Sequence, residues 1–366
     1  MNLRYLEQSA RHVLIGAEII INRRLGREFI HVDSGAMSIE ISGACNLKCR
    51  FCAYERKQTP KVSMANEMFF DCVNQSVDLG FDRFELTPCT GDVFMDKHIF
   101  EKLDFLEHHQ KVRGYSFFSN LTIPTHDQLM LLMGLKKLTS LTISIYGHDE
   151  KSFIAITKST PGVYRRLIEN LETMLAQVNR PFLLVFGFRS TFDAQHENSG
   201  ELMELLGRFR ETGVKVNSSH GVFNNWGGVI SQDDVSDLNM KIVPGNKKYK
   251  SGACAKLFDA PQVTATGIVN ACSCRDVNAT LRIGDISKTP LKKIISVENM
   301  EYMRITEDQH AGKFMPVCAS CDYYRSIYHQ PKNYRRGNVH TQTISGFLAQ
   351  LRSSRTGSEV DLQATE

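Results

Sequence analysis

From residue 36 to about residue 230, short apolar runs alternate with stretches in which apolar positions recur every three or four residues. The first pattern predicts buried strands and the second predicts amphipathic helices. Strands are expected at 37–42, 81–87, 115–119, 138–145, 182–188 and 214–217, with helices at 68–77, 99–108, 128–133, 164–176 and 202–211. Such alternation is the signature of parallel β/α units. Six units in about 195 residues fall short of a closed eight-unit barrel, which typically takes ~250. In residues 1–35, Leu6, Ala10, Val13, Leu14, Ala17 and Ile21 fall at helical spacing, so an amphipathic helix and lead-in are expected there. A secretory signal is the poorer reading of this stretch. Glu18 interrupts its apolar part, and Asn22-Arg23-Arg24 stand where small cleavage-site residues belong.

At residue 231 the alternation stops. Residues 231–250 are polar and contain Pro244-Gly245, as in a linker, and residues 251–330 are rich in cysteine. Residues 331–366 turn basic at Asn333-Tyr334-Arg335-Arg336-Gly337 and later polar, with a short helix expected at 343–351 and a disordered end. No internal repeat is present. The 366 residues suffice for one large domain and a smaller one, and 42% hydrophobic with 23% charged residues is ordinary globular composition. A net charge of +4 gives no reason to expect nucleic acid or membrane as a partner. No apolar run reaches the ~20 residues that span a bilayer. Ten cysteines without a secretory signal point to a reducing cytoplasm and to metal binding, not disulfides.

The densest chemistry is the run Cys45-Asn46-Leu47-Lys48-Cys49-Arg50-Phe51-Cys52, which gathers three thiols in one short loop just after the first expected strand. Structural zinc and closed iron–sulfur sites take four protein ligands. Three ligands leave one metal corner open to a small molecule; the alternative is a zinc knuckle completed from elsewhere. In parallel β/α folds the chemistry sits at the carboxyl ends of strands. This loop lies at such an end.

The spacing, with an aromatic before the third cysteine, closely resembles the cluster loop of radical S-adenosylmethionine (radical SAM) enzymes. The resemblance implies an α/β fold, a partial (β/α)6 TIM-like barrel with a small C-terminal cysteine-rich cluster-binding domain. It makes Cys45, Cys49 and Cys52 ligands of a 4Fe–4S cluster whose free iron is chelated by S-adenosylmethionine. One electron then cleaves the sulfonium to methionine and a 5′-deoxyadenosyl radical, which removes a hydrogen atom from substrate. The electron would come from a donor such as flavodoxin or ferredoxin. Phe51 and Tyr54 would pack on the adenine or the cluster, with plain core packing as the alternative.

Further segments resemble the family's cofactor-holding turns. Thr90-Gly91-Asp92 stands where the family usually has Gly-Gly-Glu, with one glycine and the glutamate replaced. Ser119-Asn120 resembles a Thr-Asn-Gly turn, and Ser144-Ile145-Tyr146-Gly147 resembles a Ser-Leu-Asp-Gly stretch near the ribose. Arg189, ending the fifth strand, would pair with the methionine carboxylate. Asn225-Trp226-Gly227-Gly228 resembles a turn under the adenine or at the substrate mouth. Each of these could also be turn chemistry alone.

Cys254, twelve residues, Gly267, four residues and Cys272, followed later by Cys318-Ala319-Ser320-Cys321, form a second set. It looks like the Twitch domain, the short relative of SPASM, with a hairpin at 262–270 turning at Gly267. The resemblance implies one auxiliary 4Fe–4S cluster held by Cys254, Cys272, Cys318 and Cys321; zinc is the alternative. Four ligands leave no open corner, which favours an electron-accepting role and a net oxidation. Of the remaining cysteines, Cys72 falls on an apolar helix face. Cys89 lies either near the cofactor or in the core. Cys274 is either a spare ligand or a hydrogen-atom donor. No general acid or base stands out, and no G-x-G-x-x-G, P-loop, G-x-S-x-G or H-E-x-x-H motif is present.

Twitch enzymes in this family include dehydrogenases and epimerases of aminocyclitols and sugars, whereas longer SPASM enzymes often mature peptides. Peptide maturases frequently carry an N-terminal recognition module of ~80 residues or more. The 44 residues before Cys45 read as one helix plus a lead-in. A small polar substrate is therefore expected. The alternatives are a peptide-modifying maturase and a zinc-stabilised non-catalytic α/β protein.

Overall fold

The computed structural model describes residues 3–32, 35–177, 179–191, 200–245, 249–259, 261–331 and 340–360. Six strands carry the β/α units: β1 (Met37–Ile39), β2 (Arg83–Glu85), β3 (Gly114–Ser119), β4 (Leu138–Tyr146), β5 (Leu183–Ser190) and β6 (Lys215–His220). Each pairs in parallel with the next. Three more follow: β7 (Gln262–Val263), β8 (Ile268–Asn270) and β9 (Arg282–Asp285). The sheet order is β9-β8-β7-β1-β2-β3-β4-β5-β6, with β9 and β6 as free edges, so the barrel is open. The hairpin of β7 and β8 turns at Gly267, whose φ is +87°, and β7 lies parallel to β1. The cysteine-rich region thus extends the β/α sheet itself.

The helices follow from local signals. α1 (Leu3–Arg24) precedes the sheet, and α2 (Asn66–Asp78), α3 (Ile99–His108), α4 (His126–Leu132), α5 (Glu150–Thr157), α6 (Pro161–Ala176) and α7 (Glu201–Glu211) connect the strands. Capping boxes start α4 at Thr125 and Gln128 and α5 at Asp149 and Ser152, each satisfying otherwise unpaired N–H groups. α6 begins with Pro161 and buries Tyr164, Leu167, Ile168, Leu171, Met174 and Leu175 along one stripe. Phe153, Phe186, Phe188 and Phe209 are fully buried between these helices and the sheet. Cys72 is buried on α2.

Part of the expected linker is ordered. Ser231 and Asp234 cap a 3-10 segment, Gln232–Leu238, and Lys241–Ile242 pairs in parallel with Val222–Phe223. At the far end the helix runs over Ile344–Val360, longer than expected, and its Phe347 meets Phe258 edge to face. The basic run at 333–337 and the last six residues lie outside the described residues. Among the described residues no helix is long and apolar enough to cross a membrane.

A buried ion pair ties the three parts of the site together. Glu40, just past β1, meets Lys57, which follows the cysteine loop, and the two side chains are only 3% and 2% exposed. The second Glu40 oxygen accepts the backbone N–H of Ala265 in the β7–β8 turn at 3.0 Å.

Candidate functional site

The Cys45–Cys52 loop is suspended by backbone hydrogen bonds. Lys48 N donates to Thr157 O and Arg50 N to Ile156 O, both at 3.0 Å, so the loop hangs from the last turn of α5. Cys52 N closes a turn on Cys49 O at 2.9 Å. Arg50 grips Asp237 bidentately, at 2.7 and 2.5 Å. Asn120, at the end of β3, donates to Asn46 Oδ1 at 2.9 Å and reaches the Cys45 sulfur at 3.8 Å. Burial pushes the Cys45 thiol up to about 12, with the neighbouring Asp92 charge adding to it. Burial likewise raises Cys49 and Cys52, while Arg189 works against this at both. Metal binding at these thiols must therefore displace their protons.

The residues expected around a cofactor converge on this loop. Gly91 has φ +109°, and a Cβ there would stand 2.1 Å from Ser42 O, so only glycine allows this approach of β2's end to the loop. Asp92 N donates to Ala44 O at 2.8 Å. The Asp92 carboxylate accepts Phe94 N at 3.1 Å, Asn120 N at 2.8 Å and the Ser119 hydroxyl at 3.0 Å. Thr90 Oγ1 is buried without a hydrogen-bond partner. Ser144 Oγ accepts Arg189 Nη1 at 3.2 Å. A Cβ on Gly187 would come within 3.3 Å of that nitrogen, so glycine there leaves the guanidinium its room.

Aromatic side chains surround the loop. Phe51 stacks on Phe223 at 4.8 Å and leans on Tyr146 at 5.6 Å. Tyr146 shares a strand face with Ser144, two residues earlier, and its phenol is raised by burial and then by the nearby Cys49. Tyr54 is buried beneath the Lys61 ammonium, 4.3 Å from its ring centre. Trp226 Nε1 donates to Phe51 O at 2.9 Å.

Cys254, Cys272, Cys274, Cys318 and Cys321 line a single pocket. Each of the four sulfurs expected as ligands accepts an N–H. Cys254 takes it from Arg325 N at 3.4 Å, Cys272 from Cys274 N at 3.4 Å, Cys318 from Gln309 Nε2 at 3.1 Å and Cys321 from Tyr323 N at 3.2 Å. Donors aimed at sulfur stabilise thiolate ligands of iron–sulfur clusters. Cys274 differs, receiving the Arg275 side chain at 3.6 Å. Cys89 donates to Ser273 O at 3.2 Å and joins a small apolar cluster with Trp226, Ile230 and Val277. Sets of three and of four thiols fit an open and a closed iron–sulfur cluster respectively.

Residues 254–322 match the family model of the SPASM iron–sulfur cluster-binding domain. The chain carries a SPASM-like region and shares its overall fold with solved proteins that bind AdoMet. BtrN in complex with AdoMet and 2-DOIA matches at TM-score 0.52 and 16% identity, covering 84% of this chain and 98% of BtrN. SuiB of Streptococcus suis, bound to precursor peptide SuiA, matches at 0.51 and 13% identity, covering 90% of this chain and 82% of SuiB. His-tagged anSMEcpe with bound AdoMet matches at 0.50 and 13%, covering 91% and 96% of the two chains. No curated protein matches the chain by sequence. The SPASM region begins at Cys254 and ends one residue past Cys321, so it encloses the whole second cysteine set.

Two features of the site went unread in the sequence, the Glu40–Lys57 pair and Arg275, and neither has a local signal.

Proposed function

We propose that this chain reductively cleaves S-adenosylmethionine and removes a hydrogen atom from a small polar substrate of the carbohydrate or aminocyclitol class, giving oxidation or epimerisation. The observation that carries this reading is the pairing of two cysteine sets of different kind. Cys45, Cys49 and Cys52 form a three-thiol loop at the strand ends. Cys254, Cys272, Cys318 and Cys321 line one pocket together with Cys274, and each of the four sulfurs accepts an N–H.

With a 4Fe–4S cluster on the first set, S-adenosylmethionine supplies a 5′-deoxyadenosyl radical. The chain's own residues bind, orient and exclude water. Arg189, braced by Ser144, offers a planar guanidinium to the methionine carboxylate. The backbone at Gly91 and Asp92 closes on Ser42 and Ala44 at the start of the loop, and the neighbouring Thr90 hydroxyl is a buried polar group open to a cofactor contact. Asn120 fixes Asn46 and Cys45, and Asp92 holds Asn120 in turn. Phe51, Tyr54 and Trp226 shield the loop from solvent. The second set, with no ligand position left open, suits a cluster that accepts or relays an electron. A flavodoxin or ferredoxin is the fitting external donor.

The match that spans 98% of BtrN, a protein seen with 2-DOIA, supports a small polar substrate. A second reading, peptide modification, is favoured by the match to SuiB holding SuiA. The test is anaerobic reconstitution and reduction with S-adenosylmethionine in deuterated buffer, against panels of aminocyclitols, sugars and peptides. Loss of two hydrogens from a cyclitol or sugar supports dehydrogenation, and deuterium gained without oxidation supports epimerisation. A mass change confined to peptides supports the second reading. A colourless zinc protein that forms no 5′-deoxyadenosine would end both.

A further inference from the structure

Arg275 lies in the wall of the auxiliary pocket beside Cys274, and its guanidinium is no metal ligand. Its guanidinium carbon is 5.4 Å from the Trp226 ring centre and 4.8 Å from that of Tyr323. The side chain is thus held between two aromatic planes. Nη1 donates to Cys274 O at 2.9 Å and to the Cys274 sulfur at 3.6 Å. Nε is buried with no hydrogen-bond partner. Asp322 Oδ1 forms a long ion pair with it at 3.6 Å and accepts no hydrogen bond, with the two side chains 19% and 7% exposed. Asp276, the acid that lines the pocket, is engaged elsewhere: it accepts Leu281 N at 2.8 Å and the Thr280 hydroxyl at 3.0 Å. Arg275 is therefore a largely desolvated cation, loosely countered by one carboxylate and fixed by stacking.

The stack also has defined ends. Tyr323 donates its backbone N–H to the Cys321 sulfur, and Trp226 donates its indole N–H to the carbonyl preceding Cys52. The cation is held in register with both cysteine sets.

We propose that Arg275 is a positioning residue that raises the reduction potential of the auxiliary cluster, making it a better electron acceptor. The inference rests on the reading that Cys254, Cys272, Cys318 and Cys321 hold that cluster. A cluster that gains one electron becomes one unit more negative, with no bond made or broken in the protein. A nearby cation in a poorly solvated wall stabilises that state more than the oxidised one. A planar guanidinium suits the slot between two rings better than an ammonium does.

The test is EPR-monitored redox potentiometry of the reconstituted full chain, with R275M and R275K beside the parent. The auxiliary signal is the one that S-adenosylmethionine leaves unchanged. At a fixed potential, R275M is expected to hold about tenfold less reduced auxiliary cluster, equivalent to ~59 mV for a one-electron couple. R275K, which keeps the charge, is expected to stay within about threefold of the parent. An R275M that keeps its iron and its potential overturns the proposal. Loss of the auxiliary cluster from both variants overturns it too, because the residue would then be structural. If only R275M loses the cluster, R275Q provides the neutral comparison. A parent protein with no S-adenosylmethionine-insensitive cluster refutes the functional reading itself, an outcome distinct from an unchanged potential.

Discussion

Trp226 Nε1 donates to the backbone carbonyl of Phe51 at 2.9 Å, next to the third cysteine of the first set. The same turn reaches the second set, where Asn225 Nδ2 donates to Ser320 O at 2.7 Å, between Cys318 and Cys321. Glycine makes the close approach possible: a Cβ on Gly227 would lie 2.7 Å from Val317 Cγ2 and one on Gly228 2.8 Å from Ser320 Cβ. Trp226 itself has φ +50°, an uncommon conformation for a bulky residue and one the surrounding contacts must enforce. One turn braces both cysteine sets.

Trp226→Phe keeps a ring over Arg275 but deletes the indole N–H. Losing this hydrogen bond should cost about 1 kcal/mol in chemical denaturation. Iron should also leave the first set faster under a chelator while the auxiliary set keeps its rate. Equal release from both sets would contradict the brace.

Gly91→Ala forces a Cβ against Ser42 O at a φ of +109°. The variant is expected to lose at least about 2 kcal/mol of stability, since the backbone of β2's end or of the loop must move. A urea unfolding midpoint equal to the parent's would show that the approach is looser than described.

Breaking the Glu40–Lys57 pair leaves a charge buried among β1, the cysteine loop and the β7–β8 turn. Lys57→Met alone should cost about 3–5 kcal/mol, whereas Glu40→Leu combined with Lys57→Met should recover most of that loss. A double-mutant cycle in urea measures it, and additive losses would argue against the pairing.

The cluster-free protein should lose stability as pH rises above about 9. Burial holds Cys254 at about 11 and Cys45 and Cys318 at about 12, against 9.0 for an ordinary thiol. Between those values the unfolded chain has released protons that the folded chain retains. The unfolded state then binds fewer protons, and the unfolding free energy falls with pH. In the cluster-loaded protein the ligand thiols are already deprotonated, so its thermal midpoint should fall less over the same range. Parallel pH profiles for the two forms would contradict this.

The β/α strands were legible because buried parallel strands leave continuous apolar runs, and those at 115–119 and 138–145 lie within β3 and β4. What stayed hidden was non-local. Nothing in Gln262-Val263 announces β1 as its partner, because pairing across more than 200 residues is chosen by the assembled sheet. The polar stretch after residue 230 looked like a linker, yet its Ser231–Asp234 cap and the Val222–Phe223 pairing give it structure. Asp92 resembles a cofactor contact in sequence, and the structure adds what the sequence could not show, that three protein groups donate to its buried carboxylate. Arg275 beside a cysteine carries no sequence signal at all; its meaning depends on two rings, one from a distant turn.

Iron and sulfide counting on the anaerobically reconstituted protein, paired with 5′-deoxyadenosine formation, tests the central claim most directly. The parent chain should bind about eight irons and cleave S-adenosylmethionine once reduced. A C45A/C49A/C52A variant should keep about four irons and form no 5′-deoxyadenosine. A parent that binds zinc in place of iron, or a triple variant that still cleaves S-adenosylmethionine, would contradict the account.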